Sequence, residues 1–134
     1  MSQTNKDAMK RILLEGWAGP NVAVLDKLVA PDMLDHGALE GLPPGRDAYV
    51  QTLQFFNSVF SDWKITISHQ VAEGDLVSSY FTLSSKHTGD GLGMAGTGKP
   101  VVLEMMLLDR FANGRLAEEW IVFDQASMMA QINA

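Results

Sequence analysis

The sequence has no cysteine. Disulfides, thiolate nucleophiles, iron–sulfur clusters and cysteine-ligated zinc are excluded together, so any chemistry falls to oxygen and imidazole groups. Histidine is scarce too, and none of the three stands at a metal-binding spacing such as His-Glu-x-x-His, so no metal site is expected. Basic residues are outnumbered, 10 Lys and Arg against 16 Asp and Glu, which leaves a formal charge of -6. The counterion release that drives nucleic-acid binding works against such a chain, and nucleic acid is not an expected partner. Long apolar runs are also missing, since nothing approaches the ~18 residues of a membrane helix. Lys6, Asp7, Lys10, Arg11 and Glu15 interrupt the region where a leader would be apolar. The expectation is a cytoplasmic protein without membrane contact.

The composition that remains, 46% hydrophobic and 19% charged, argues against disorder. A length of 134 residues matches one domain of ~150 residues. One domain over 1–134 is therefore expected, burying about two thirds of its unfolded surface. Thr4 and Asp7 resemble a capping pair ahead of Ala8, Ile12, Leu13 and Trp17, which recur at helical spacing until Gly19-Pro20. Asn21 can cap a second helix with the stripe Val22, Leu25, Leu28 and Val29, and an extended piece follows from Met33 to His36. Gly37 to Pro44 reads as a loop, and Tyr49, Leu53, Phe56 and Phe60 mark a third helix beginning at Arg46.

The period then changes from 3.6 to 2: Trp63, Ile65, Ile67, His69 and Val71 alternate with polar neighbours. Glu73-Gly74-Asp75 turns the chain into a second strand, Leu76 to His87. Gly89 to Gly98, with five glycines, reads as a flap over a pocket. Val101 to Phe111 carries apolar residues on both parities, predicting cover on both faces, and Asn113-Gly114 predicts a hairpin into Leu116 to Phe123 before a last short helix. Three helices followed by an antiparallel meander predict an α+β domain, its helices packed on one face of a curved sheet.

At this level of organisation the chain resembles a known family. Leu34-Asp35-His36, the Gly41 to Arg46 loop, Ala72 to Asp75, His87-Thr88-Gly89, Thr97-Gly98-Lys99 and Asn113-Gly114-Arg115 through Glu119-Trp120 to Asp124 are similar, in order and spacing, to the SnoaL-like polyketide cyclases. The resemblance implies a cone-shaped α+β barrel, a strongly curved, mostly antiparallel sheet wrapped around N-terminal helices and enclosing a pocket. It also implies a homodimer and a metal-free, cofactor-free intramolecular aldol cyclisation. Fold is implied more firmly than chemistry, since one fold hosts many functions.

Asp124 lies four residues after Trp120, where the resemblance places a catalytic aspartate. It would act as general base, or else cap the last helix. His36 lies where the family has an Asp-His pair lining the pocket, suited to proton transfer near neutral pH, or is satisfied by loop backbone. Glu104 shares a parity with Val102, Met106 and Leu108; it is either a pocket carboxylate with a raised pKa or the partner of a cation such as Arg110. Glu119 replaces a histidine frequent in the family, and Met105 to Leu108 replaces polar residues that assist the aspartate there. Tyr80 or Tyr49 could donate to an enolate oxygen. Trp120, Trp63 and Met106 are expected to line the pocket with Tyr80, His87 to sit at its rim, and His69 to lie in the core or at a dimer contact. The leading expectation is a cofactor-independent acid–base enzyme on a small hydrophobic carbonyl compound, by aldol cyclisation or isomerisation. The competing readings are a non-catalytic binder of a hydrophobic metabolite and an interaction module that only dimerises.

Overall fold

A computed structural model describes residues 2–134. Helix α1, Ser2–Arg11, buries Ala8 and Met9 and runs directly into a π-helical turn, Ile12–Trp17. The wider turn closes with Ala18 N–H on the Leu13 carbonyl and carries Trp17 to the molecule's interior. Gly16 allows the next helix to approach, because a Cβ there would meet Leu25 Cδ2 at 2.8 Å. Helix α2, Val22–Leu28, starts at Asn21, whose side chain accepts from Ala23 N–H as its sequence position predicts.

Strand β1, Val29–Asp35, follows without a loop and begins earlier than its sequence suggests. Its Pro31 is tolerated because β1 is an edge strand, where a missing N–H breaks no interior ladder. Helix α3, Arg46–Val59, turns Tyr49, Thr52 and Leu53 inward. It leads into β2, Phe60–Glu73, which is followed by β3, Leu76–His87; β4, Lys99–Ala112; β5, Arg115–Phe123; and α4, Gln125–Asn133. The strand order is β1-β5-β4-β3-β2. Strands β2 to β5 form the expected antiparallel meander, whereas β1 runs parallel to β5, so the sheet is mixed and open rather than closed. Asn113 and Gly114 have φ of 53° and 76°, the left-handed pair of a tight hairpin turn.

The meander has an inner and an outer face. On β4 the inner set is Val101, Leu103, Met105, Leu107, Asp109 and Phe111, facing the helices. The outer set, Val102, Glu104, Met106 and Leu108, is exposed, so the expected cover on both faces is absent among the described residues. A register shift between Ile67 and His69 moves His69 from the expected buried parity to the surface. Helix α4 packs Met128 and Ile132 against Val101 and Leu103, and Gln131 extends the ladder by bonding both the N–H and the carbonyl of Val102. No helix among the described residues is long and apolar enough to cross a membrane.

Candidate active site

A cavity of about 320 Å³ lies between the inner sheet face and the helices. Its walls are mainly aromatic and aliphatic, with Trp17, Phe56, Phe60, Trp63, Phe81 and Met105 around it. Leu92, from the glycine-rich loop, closes part of the wall, consistent with that loop lying over a pocket. Two carboxyl groups interrupt the apolar lining, Asp35 and Glu119.

These two arrive from distant parts of the chain. Asp35 ends β1 and stands in register with Glu119 on the parallel strand β5. Glu119 in turn stands opposite Asp109 on β4. The three carboxyls therefore form one row across three adjacent strands, with Asp109 buried behind the two that reach the cavity. From α3 the Tyr49 hydroxyl accepts a 2.9 Å hydrogen bond from Trp17 Nε1 and donates to Glu119 Oε1 at 3.5 Å. Asp35 Oδ1 accepts from Gly37 N–H at 2.9 Å, which fixes its direction. Gly37 has no room for a side chain, since a Cβ would lie 2.6 Å from Ile121 Cγ2 in the cavity wall.

Like charges facing one another across strands, out of water, cannot all ionise at ordinary carboxylate pKa values. Glu119 is raised well above its usual value, chiefly by burial and then by the neighbouring Asp109 charge. Asp109 is raised to about 7, again mainly by burial. Asp35, only partly buried, is also raised by loss of water, but the Gly37 N–H and the nearby His36 favour its charged form. Burial and Glu119 together push the Tyr49 phenol well above its usual value, so it remains a donor. The arrangement thus sets a more readily ionised carboxyl, Asp35, beside one whose protonated form is favoured, Glu119.

Most residues expected at the site lie elsewhere. Asp124 is exposed, accepts from Ser127 N–H at 2.9 Å and caps α4, and it is absent from the cavity lining. His36 points outward, where Nε2 bonds Glu118 Oε2 at 2.8 Å and the ring stacks on Trp120 at 4.9 Å. Trp120 is therefore an outer-face residue. Glu104, Tyr80 and Met106 share that outer face; the Glu104 carboxylate sits by the Tyr80 hydroxyl and raises its pKa. His87 is fully buried beside Phe60, its Nδ1 accepting from Thr97 N–H, and it does not line the cavity. Trp63 alone of the eight expected residues lines it.

Neither Asp109 nor Asp35 stands out as a site residue in the sequence, where Asp35 is visible only as the neighbour of His36. One signal could have found Asp109: it is the single acid on the Val101, Leu103, Met105 and Leu107 parity. Glu104 is likewise the single acid on the opposite parity, and both parities of β4 are apolar enough to look buried. Among the described residues, no group of three or more His, Cys, Asp or Glu side chains is arranged to hold a metal ion.

A curved mixed sheet laid over helices and enclosing an apolar cavity is the ketosteroid isomerase-like α+β fold. The chain belongs to the SnoaL-like polyketide cyclase family, whose profile matches residues 7–132. Among solved structures it is similar to IdmH from Streptomyces antibioticus, a proposed polyketide cyclase, at 28% identity over 97% of this chain and 99% of that one, with a TM-score of 0.83. TsrD from Streptomyces laurentii shares the fold at 19% identity over 98% and 96% of the two chains, with a TM-score of 0.88. A protein of ketosteroid isomerase-like fold from Catenulispora acidiphila, in complex with trimethylamine, matches at 21% identity over 89% and 87%, with a TM-score of 0.71. No curated protein matches the chain.

Proposed function

We propose that this protein is a cofactor-independent acid–base enzyme that enolises a small hydrophobic carbonyl compound, leading to intramolecular aldol closure or isomerisation. The observation that carries the reading is the pairing of Asp35 and Glu119 in the wall of an otherwise apolar cavity. In this scheme the Asp35 carboxylate removes a proton from the carbon beside the carbonyl. The Glu119 O–H donates to the carbonyl oxygen, where negative charge develops, and Trp17 and Trp63 hold the flat apolar remainder. The enolate carbon then attacks a second carbonyl carbon of the same molecule. A C–C bond forms, and the new alkoxide recovers its proton from Asp35. Isomerisation is the shorter route, with Asp35 returning the proton to another carbon.

Deuterium exchange at the α-carbon of hydrophobic ketones tests the first step without knowledge of the natural substrate. Wild-type protein accelerates exchange, and Asp35→Asn lowers the acceleration by a factor on the order of 10² or more while ketone binding survives. Ketone binding with no exchange in wild-type protein would instead establish a binding protein.

A second copy of the chain is the proposed partner. Met106 faces Val122 and Leu108 faces Trp120 across β4 and β5, making an apolar strip on the outer face. Val122 is 72% exposed and Met106 49%, a patch that a homodimer would cover.

A further inference from the structure

Asp109 reaches neither the cavity nor solvent, yet it stands directly opposite Glu119. Both of its carboxylate oxygens are buried, and among the described residues their one hydrogen-bond partner is the facing Glu119 carboxyl. An ionised carboxylate in that position is costly, because a buried charge normally has a partner. The groups facing the pair do not supply one. From β1 comes Asp35, another carboxylate. From α3 comes Tyr49, whose single O–H is directed to Glu119 Oε1. Trp17, from the π-helical turn, gives its N–H to Tyr49. Opposite Asp109 on β3 stands Val77, which carries no polar group. The donors that complete this row are the carboxyl protons themselves.

We propose that Asp109 is a positioning residue that sets where the Glu119 proton points. When protonated, Asp109 donates to Glu119 and leaves the Glu119 O–H for an oxygen in the cavity. When ionised, it accepts that O–H and withdraws it from the ligand. The inference rests on the reading of Glu119 as the cavity's acid and adds the residue that governs it. The value of about 7 for Asp109 places the change between the two arrangements near neutral pH. Because the two carboxyls interact strongly, the observed transition belongs to the pair. Conversion needs no outside reagent beyond a proton exchanged with water.

The test compares wild-type protein with Asp109→Asn, whose amide N–H donates to Glu119 at every pH. Binding of a hydrophobic ketone and of the matching hydrocarbon is followed by Trp17 and Trp63 fluorescence between about pH 5 and pH 9. In wild-type protein the preference for the ketone falls on the order of tenfold as pH rises through about 7, the worth of one hydrogen bond. In Asp109→Asn the step at about pH 7 disappears, and the preference is lost only where Glu119, still raised by burial, itself ionises. An unchanged pH midpoint in the variant overturns the proposal, as does a wild-type preference that is flat with pH. Should Asp109→Asn not fold, infrared spectra of wild-type protein decide: the carbonyl stretch of protonated carboxyls should be present at about pH 6 and weaken by about pH 8. Its absence at pH 6 also overturns the proposal. A pH-dependent ketone preference without any exchange would reject the enzyme reading and leave the Asp109 device standing.

Discussion

Asp35 and Glu119 face one another in register on parallel strands β1 and β5, and they are the two carboxyls in the lining of the apolar cavity. The relationship is asymmetric. Asp35 has a backbone N–H to hold its charge, whereas Glu119 has Asp109 beside it and a distant Tyr49 hydroxyl. That asymmetry separates the protonation behaviour of two chemically similar groups.

The first prediction concerns stability against pH. Asp109 and Glu119 have folded-state pKa values above their unfolded ones, so the folded protein binds more protons and its stability falls as pH rises. The Asp109 contribution is fully present below about pH 4 and is lost as pH passes through about 7, and the Glu119 contribution is lost as pH rises further. Thermal denaturation should show a lower Tm at pH 8 than at pH 5.5. In Glu119→Gln the decline should be clearly smaller; a decline equal to that of wild type would remove the cluster as its source.

The second concerns Asp124. Its side chain caps α4, so Asp124→Ala should cost about 1 kcal/mol of stability and Asp124→Asn much less. Neither should change exchange activity in folded protein by more than about twofold. A loss on the order of 10² in Asp124→Asn would return the base to this residue.

The third concerns Glu104. It is exposed on the outer face, so Glu104→Gln should leave stability within about 0.5 kcal/mol of wild type at pH 8 and leave ligand binding intact. A marked gain in stability at that pH would show a buried, destabilising carboxylate, contrary to this placement.

The fourth concerns assembly. A charge placed in the strip, as in Val122→Lys or Met106→Glu, should convert a dimer to a folded monomer, read by light scattering with circular dichroism as the folding control. A wild-type protein that is monomeric at micromolar concentration would discount the second copy.

The fifth concerns ligand charge. The described cavity lining contains two carboxyls and no Lys, Arg or His, so a carboxylated analogue should bind at least tenfold more weakly than its neutral ester. Equal affinities would show that the ligand does not approach Asp35 and Glu119.

Much of the architecture was legible locally. The Asn21 cap and the Asn113-Gly114 turn depend on neighbours within a few residues and appear where the residues place them, whereas the change from helix to strand comes earlier than the alternation suggests, with β2 already beginning at Phe60. Trp63 was found because strand parity points it to the helix-covered face. Parity failed at His69, where an extra residue in β2 reverses the alternation. It failed again on β4 and β5, whose two faces are both apolar, so Glu104, Met106 and Trp120 were assigned to the wrong side.

The sequence by itself determined the order and type of the elements, the lack of thiol chemistry and the family resemblance, because periodicity, turn geometry and composition are short-range properties. The tertiary structure alone decided the site. Asp35, Asp109 and Glu119 become neighbours through the parallel pairing of β1 with β5 and the register of β5 on β4. Their altered protonation arises from mutual proximity and exclusion of water, neither of which any one segment contains.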